Sequence, residues 1–346
     1  MTGRAQIMRL WSVLGVLAAA GPGVADATDL KHITFDRGEV AVWSASVSPR
    51  DHTPAHVADE VAPLALPTAS PALPARGSTF STLFRARDLF DLERHPATTA
   101  AKLFQLKEDG ERQGTACTAQ FVGPRHLLTA AHCLVDRATG RPRPGFEIAV
   151  RHDGGSDQGV YRVVAAWGPA SEFEPRPVMV QTAAPLDLAA DCHDVALIAV
   201  DRPVEASGGW LGMSVSVDAA LPVHRFSYPH ESSAAVIERL MTTQEHPDNV
   251  KDYMRVEIAK RRLSEPDFSP ENLYYEYGVV EGVHAEALTE RNGAVLPGRS
   301  GSAMIDGQGR IVAIMSRAAE GENYSCRLTP YLIGAFSDIA GLGRSD

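Results

Sequence analysis

The chain has 346 residues, a formal net charge of −10 and an isoelectric point near 5.6. Its 33 Lys and Arg residues are outnumbered by 43 Asp and Glu and are too scattered to neutralise a row of phosphates, which excludes a nucleic-acid-binding protein. A chain of this length can bury a sizeable core, in one large domain or in two smaller ones.

The first 27 residues have the pattern of a signal peptide. Arginines near the start precede an apolar run over residues 10–20, and the small residues Ala25 and Ala27 follow. The run is shorter than the roughly 18 apolar residues that a membrane-spanning helix needs, and no later stretch reaches that length. We therefore predict cleavage after Ala27, a secreted or periplasmic location, and no membrane anchor in the mature protein.

The segment that follows, residues 28–95, is poor in large apolar side chains. Five of its prolines fall between residues 51 and 75, interleaved with alanines. Such a composition buries too little apolar surface to offset the entropy that an ordered backbone loses. We therefore predict a pro-region or a flexible linker here and a globular domain over residues 96–346.

From residue 96 onward, short β-branched or alternating runs are separated by Gly, Pro and Asp. Many short strands bounded by turn residues are typical of an all-β barrel or sandwich. A final apolar stretch, residues 331–339, predicts a C-terminal helix. The predicted strands span residues 102–106, 115–122, 146–150, 160–166, 195–200, 221–226, 275–283 and 310–315.

Four cysteines form an even set in a chain that is predicted to be exported: Cys117, Cys133, Cys192 and Cys326. Two disulfides are the expectation for such a set, and four cysteines allow three connectivities. The spacings are wide and contain no Cys-x-x-Cys pair, so a zinc site is not expected.

A histidine motif is the sharpest local signal in the chain. The run Leu-Leu-Thr-Ala-Ala-His-Cys covers residues 127–133, and Cys117 precedes it on the previous predicted strand. A lone histidine is often only a core or surface residue, so its neighbours carry the weight. This run resembles the histidine motif of trypsin-like serine proteases, and the resemblance makes His132 the general base.

A glycine-rich loop further along carries a candidate nucleophile. Residues 297–303 read Pro-Gly-Arg-Ser-Gly-Ser-Ala and resemble the nucleophile loop of the same family. Glycines at 298 and 301 permit a tight turn and leave space for a substrate carbonyl. The resemblance makes Ser300 the nucleophile and the amides of Gly298 and Ser300 the oxyanion hole. Taken alone, a Gly/Ser-rich stretch is equally often a plain turn.

An aspartate at the start of an apolar strand completes the set. Asp194 leads the run Val-Ala-Leu-Ile and resembles the Asp-Ile-Ala-Leu-Leu segment of the family. His132, Asp194 and Ser300 follow the His, Asp, Ser order of this fold, with room for one barrel to end and another to begin. Three moderate matches in the right order together indicate a catalytic triad.

The resemblance extends over about residues 98–342 and is nearest to the bacterial glutamyl-endopeptidase-like branch. It implies an all-β fold of two six-stranded antiparallel β-barrels with the active site between them, plus a helical insertion and a C-terminal helix. It also implies a disulfide between Cys117 and Cys133. The remaining cysteines, Cys192 and Cys326, lie in segments that flank the aspartate in the family fold and are expected to form the second bridge.

The same resemblance places the substrate pocket. Its base falls near Ala294 and Val295, and Met315 and Ala318 lie on the opposite wall. Ser316 takes the place of a strand serine beside the catalytic aspartate, although an ordinary strand serine is nearly as good an interpretation. The pocket then lacks a charge, which predicts cleavage after uncharged, apolar side chains of small or medium size.

Three departures from the family pattern alter what it implies. Arg299 replaces the aspartate that pairs with a new N-terminal ammonium in the animal trypsin branch, so that activation switch is not expected. Met315 replaces the pocket histidine of glutamate-specific members. Residues 231–272 form an insertion that common members lack.

The insertion has the pattern of two helices. Ser232 or Ser233 can cap a first helix that runs through Met241, and a second can start at Asp248. We predict that the pair packs on the second barrel beside the cleft and acts as a lid, with a surface decoration far from the site as the alternative. The apolar stripe of the second helix consists of Val250, Met254 and Ile258.

Together these features predict an exported, monomeric serine endopeptidase that acts on protein or peptide substrates without a cofactor or a metal. An esterase could use the same triad, but the chain lacks a Gly-x-Ser-x-Gly elbow in a strand-to-helix setting and has the wrong chain order for that fold. A catalytically inactive homologue could act as a binding module. The complete triad argues against that alternative.

Overall fold

A computed structural model describes residues 29–36, 39–46, 83–174, 192–204, 209–265, 267–290, 296–319 and 322–342. The predicted signal peptide, residues 47–82 of the predicted pro-region, and Ala294 and Val295 lie outside the described residues. Within the described residues, no helix has both the length and the apolar character that crossing a membrane requires.

The described chain is built mainly from β-strands, with three α-helices. The α-helices are α1 (Ser233–Thr243), α2 (Asp248–Ser264) and α3 (Pro330–Ala340), and short 3-10 helices span Ala86–Asp88, Ala97–Thr99, Ala131–Cys133 and Ala170–Phe173. The strands are β1 (Asp29–Asp36), β2 (Glu39–Ser46), β3 (Phe84–Arg85), β4 (Ala100–Leu106), β5 (Arg112–Phe121), β6 (His126–Thr129), β7 (Val135–Asp136), β8 (Arg141–Pro142), β9 (Phe146–Val150), β10 (Gly159–Pro169), β11 (Ala196–Val200), β12 (Gly212–Met213), β13 (Pro222–Ser227), β14 (Tyr274–Val279), β15 (Gly282–Val283), β16 (Ala287–Glu290), β17 (Ala303–Asp306), β18 (Arg310–Ala319) and β19 (Glu322–Arg327).

The first sheet closes into a six-stranded antiparallel barrel. Its strands follow the order β4, β5, β6, β11, β10 and β9, and β9 pairs with β4 again. Apolar side chains from four of these strands, Leu103, Leu128, Ile148 and Ile198, are fully buried. Closure leaves this core sheet without free edges, which fixes the ends of β6 and β11 in space.

A hairpin of β1 and β2 extends the first sheet from β10. Leu30 lies opposite Pro169 and Thr34 lies opposite Ala165. Leu30 and Ile33 are fully buried in the core of the first barrel. Part of the segment that composition assigns to a pro-region or linker is therefore built into the barrel, because a short apolar strand outweighs the average composition of the region.

The second sheet is a half-barrel. Its order is β15, β16, β19, β18, β17, β13, β14 and β3, with β12 added in parallel to β18. The expected second barrel has six strands in a closed ring, but the described pairings of this sheet do not close. The predicted all-β class and two-unit architecture are confirmed, with this open second unit as the difference.

The insertion forms α1 and α2, as its pattern predicts. Ser232 caps α1 by accepting the amide of Ala235 at 3.1 Å. The predicted stripe on α2 holds at Ile258, which is buried, and is wrong at Val250, which is 36% exposed. The C-terminal helix α3 is capped by Thr329 and places Phe336 in the main hydrophobic core, which includes residues of both sheets.

Candidate active site

His132 and Asp194 meet at the open ends of the first barrel strands. His132 lies in the 3-10 helix that follows β6, and Asp194 directly precedes the extended run into β11. His132 Nδ1 lies 2.6 Å from Asp194 Oδ2, and the His132 amide donates to Asp194 Oδ1 at 2.8 Å. Because Nδ1 faces a carboxylate it carries the proton, and Nε2 is left as the acceptor.

The Asp194 carboxylate is buried and surrounded by donors. Ser316 Oγ, from β18, donates to Asp194 Oδ2, and Arg137 Nη2 donates to the same oxygen at 2.6 Å. Burial raises the pKa of Asp194, but the charge and hydrogen bond of His132, together with Arg137 and Ser316, hold that pKa well below its usual range. The carboxylate is therefore ionised whenever the histidine is neutral.

The Ser300 loop needs both of its glycines. Gly298 and Gly301 have φ values of +88° and +82°, a region that residues with a Cβ rarely adopt. A Cβ at Gly298 would lie 2.5 Å from the Tyr228 carbonyl oxygen, and one at Gly301 would overlap the carbonyl oxygen of Thr118. The glycines in the motif are therefore explained by backbone conformation and by close approach.

Two serines of this loop differ in accessibility. Ser302 is fully buried and its Oγ has no hydrogen-bond partner, whereas Ser300 is partly exposed. Within the described residues, no hydrogen bond joins Ser300 Oγ to His132, and none uses the amides of Gly298 or Ser300. In unliganded sites such contacts are often long, and free amides at this position are able to receive a substrate oxygen.

Two buried polar side chains of β5 attach the Ser300 loop to the first barrel. The Thr118 amide donates to the Ser300 carbonyl at 2.8 Å, and Thr118 Oγ1 donates to the Gly298 carbonyl at 3.0 Å. Gln120 donates to the Phe226 carbonyl at 3.0 Å and accepts the Ala303 amide at 2.8 Å. These bonds fix the serine loop relative to the strand that neighbours β6 and its histidine.

Two disulfides brace the same region. One joins Cys117 to Cys133, and the other joins Cys192 to Cys326. The first links β5 to the residue after His132, and the second links the segment before Asp194 to β19. The Cys117 and Cys133 sulfurs lie within 4.8 Å of a His132 ring nitrogen, but the disulfide removes the thiolates that a metal would need.

Behind the serine loop lies a buried ionic cluster that the sequence analysis did not identify. Arg299 is fully buried and pairs with Glu276, and Arg225 pairs with Glu290 and lies 3.3 Å from Glu276. Burial lowers the pKa of Arg299 to about 10, partly offset by Glu276, and burial raises the pKa of Glu276 despite Arg299 and Arg225. Arg299 thus anchors the serine loop through carboxylates of the second sheet.

The expected pocket residues are only partly described. Met315 is 4% exposed, its amide donates to the Ser302 carbonyl at 2.8 Å, and its sulfur accepts from Ser325 Oγ at 3.8 Å. Ala318 lies on β18, two residues beyond Ser316. Met315 therefore holds β18 against the serine loop.

Solved structures share this architecture over most of their length. A glutamyl endopeptidase in complex with MPD matches with a TM-score of 0.53 and 13% identity, over 75% of this chain and 97% of its own. The chain has the chymotrypsin fold.

Other chains of this fold match more weakly. The protease Anisep from Arthrobacter nicotinovorans has a TM-score of 0.46 and 15% identity, over 70% of this chain and 95% of its own. A mutant of human heparin binding protein has a TM-score of 0.46 and 12% identity, over 75% of this chain and 95% of its own. No protein-family model and no curated protein matches the sequence.

Within the chymotrypsin fold, sequence reasoning missed three kinds of residue at this site. Thr118 and Gln120 are polar residues on a strand, which a period-two pattern assigns to solvent. Arg137 contacts an aspartate 57 residues away, a distance at which no spacing signal exists. Glu276 could have been found, since a charged residue amid the aromatic run Tyr-Tyr-Glu-Tyr needs a buried partner.

Proposed function

We propose that the protein is an exported serine endopeptidase that hydrolyses peptide bonds through an acyl-enzyme formed on Ser300. The observation that carries the proposal is the His132–Asp194 pair with its Ser316 hydrogen bond, placed at the junction of the two sheets beside a loop whose accessible serine is Ser300. The two disulfides support export, because disulfides form and persist in oxidising compartments.

Each group has a role that its chemistry permits. A serine hydroxyl is a weak nucleophile at neutral pH until a base takes its proton, and His132 Nε2 is the acceptor available for that step. Asp194 orients the ring and stabilises the imidazolium that forms. The amides of Gly298 and Ser300 would hold the oxyanion, where the loss of one donor costs about 3 to 4 kcal/mol.

The substrate class is a protein or peptide chain cleaved after an uncharged, apolar side chain of small or medium size. The buried ionic cluster behind the serine loop pairs two arginines with two glutamates, Arg225 and Arg299 with Glu276 and Glu290. The cluster therefore has no net charge that would attract a charged side chain of the substrate. Profiling of cleavage sites in a peptide library tests this class. Cleavage confined to sites after Arg, Lys or Glu would contradict it.

A fluorophosphonate probe tests the nucleophile directly. We expect the probe to label the folded protein on Ser300. The Ser300→Ala variant should not be labelled, and its rate of peptide hydrolysis should fall by several orders of magnitude. The Ser302→Ala variant should keep both the labelling and the hydrolysis. Ser302 is the matched control, since it lies two residues away and is fully buried. A folded wild-type protein that takes no label at Ser300 would favour the inactive binding module instead.

A further inference from the structure

Arg137 is an unexpected third partner of the Asp194 carboxylate. It lies at the tip of the β7–β8 hairpin, which follows the His132 helix directly, and its Nη2 donates to Asp194 Oδ2 at 2.6 Å. The Arg137 side chain is 39% exposed, whereas that of Asp194 is 4% exposed. The contact therefore brings a partly hydrated positive charge to an anion that is otherwise sealed from water.

The charged groups around this carboxylate are few. Among the described residues, the groups that contact it are His132 and Arg137, with the neutral Ser316. His193, next in the chain, turns to Glu286 at 3.3 Å. Asp136, beside Arg137, accepts the amide of Thr139 at 3.0 Å and is exposed. Arg137 is thus, among the residues that the structure describes, the one permanently charged cation that acts on Asp194 at contact distance.

We propose that Arg137 is a positioning residue that holds Asp194 and extends the activity of His132 to lower pH. The inference rests on the proposed function for its kinetic consequence, and on geometry alone for the contact. A guanidinium that shares Asp194 Oδ2 offsets part of the negative charge that would otherwise favour protonation of the imidazole. The histidine then stays neutral, and ready to take a proton from Ser300, under more acidic conditions.

The test compares variants of full-length protein by the pH dependence of kcat/KM on a peptide substrate. In Arg137→Gln we expect the acid limb to move to higher pH by about 0.5 to 1 unit. Arg137→Lys, which keeps the charge, should recover at least half of that shift. Arg141→Gln is the matched control, because it removes an exposed arginine from the same hairpin. The control should leave the limb in place.

The shape of the pH profile provides a second discriminating measurement. A purely structural role would lower kcat at every pH by a similar factor and leave the acid limb fixed. That result, in a folded variant, would overturn the proposal.

An NMR titration of the His132 ring separates this inference from the proposed function, because it needs no substrate. We expect the titration midpoint of His132 to rise in Arg137→Gln by the same amount as the acid limb. If the protein hydrolyses no peptide but the midpoint rises, the proposed function fails and the role of Arg137 stands. If peptide hydrolysis is present and the midpoint does not move, the role of Arg137 is wrong.

Discussion

The seam between the two sheets and the helical insertion use polar side chains in opposite ways. In the seam, Thr118 and Gln120 are fully buried and each bonds to backbone groups of the opposite unit. In the insertion, most charged groups of α2 lie in water, apart from the Glu257–Arg261 pair, and Tyr253 and Leu263 remain 60% and 82% exposed. The difference shows that the geometry of the site depends on a few buried hydrogen bonds, whereas the surface helices do not require every apolar side chain to be packed.

The end of the insertion nevertheless contacts the first barrel at the seam. The Ser233 amide donates to Glu265 at 3.0 Å, which closes the helical pair on itself. After α2, Pro270 and Glu271 accept hydrogen bonds at 3.0 and 3.1 Å from Lys102, a fully buried side chain of the first barrel. The segment after the helices therefore joins the two units.

Gln120→Leu is expected to have the largest effect on stability. The substitution keeps the volume but leaves the Phe226 carbonyl and the Ala303 amide buried without their partner, at a cost of about 3 kcal/mol. Urea unfolding of the disulfide-intact protein measures the loss. The control is Gln244→Leu, an exposed position at the end of α1, which should change the free energy of unfolding by less than about 0.5 kcal/mol.

If both substitutions changed the free energy of unfolding equally, buried hydrogen bonds in the seam would not be more important for stability than the surface of the insertion. A loss of stability in Gln120→Leu should also reduce peptide hydrolysis, because the Ala303 amide follows the Ser300 loop directly. Retained hydrolysis at a lower stability would show that the loop keeps its shape without this bond.

A second test uses acid, because the second unit buries a histidine. His224 lies on β13, 2.7 Å from the Tyr275 hydroxyl, and burial lowers its pKa to about 4, slightly offset by Asp306. Above the unfolded pKa of about 6.5, His224 is neutral in both the folded and the unfolded state. Below that pH, His224 binds a proton in the unfolded chain but stays neutral in the folded protein. Stability should therefore fall as the pH is lowered, by about 2 kcal/mol between pH 7 and pH 5.

His224→Gln should make the stability curve shallower over that range by about the His224 contribution, while the other histidines whose pKa burial lowers, such as His95, His126 and His230, keep theirs. His284→Gln removes an exposed histidine instead and should leave the slope unchanged. The free energy of unfolding at intervals between pH 7 and pH 5 provides the comparison. An unchanged slope in His224→Gln would mean that the ring takes up its proton without leaving the folded state.

What the sequence reveals about this molecule depends on how local each signal is. The run from Leu127 to Cys133 identifies the histidine because strand, turn and disulfide partner are adjacent in the chain. The hairpin that contains Leu30 was missed, since the prolines between residues 51 and 75 dominate the composition of the whole segment. Gln120 was missed because its partners lie more than 100 residues further along the chain, and no single-sequence pattern joins them.

The helical insertion itself should give the smallest effect. Its apolar residues, chiefly Val236, pack with Leu83, Tyr274 and Leu296, and Leu296 leads into the Ser300 loop. This contact supports the predicted position beside the cleft. Residues 234–264 can be replaced by about four Gly/Ser residues, since Ser233 and Glu265 are already within hydrogen-bond distance, and residues 270–273 then keep their bonds to the first unit.

If the helices act as a lid, this trimmed variant should cleave a folded protein substrate faster relative to a short peptide, with the ratio rising by a few fold. The matched control combines Tyr253→Ser and Leu263→Ser, which alters the exposed face of α2 but keeps both helices, and its ratio should equal that of the wild type. The rates on the folded substrate and on the peptide are compared only in variants whose urea midpoint equals that of the wild type. Loss of folded enzyme then does not affect the ratio of the two rates. An unchanged ratio in the trimmed protein would show that the helices are a surface decoration, because removal of a lid that excludes bulky chains must raise the rate on the folded substrate.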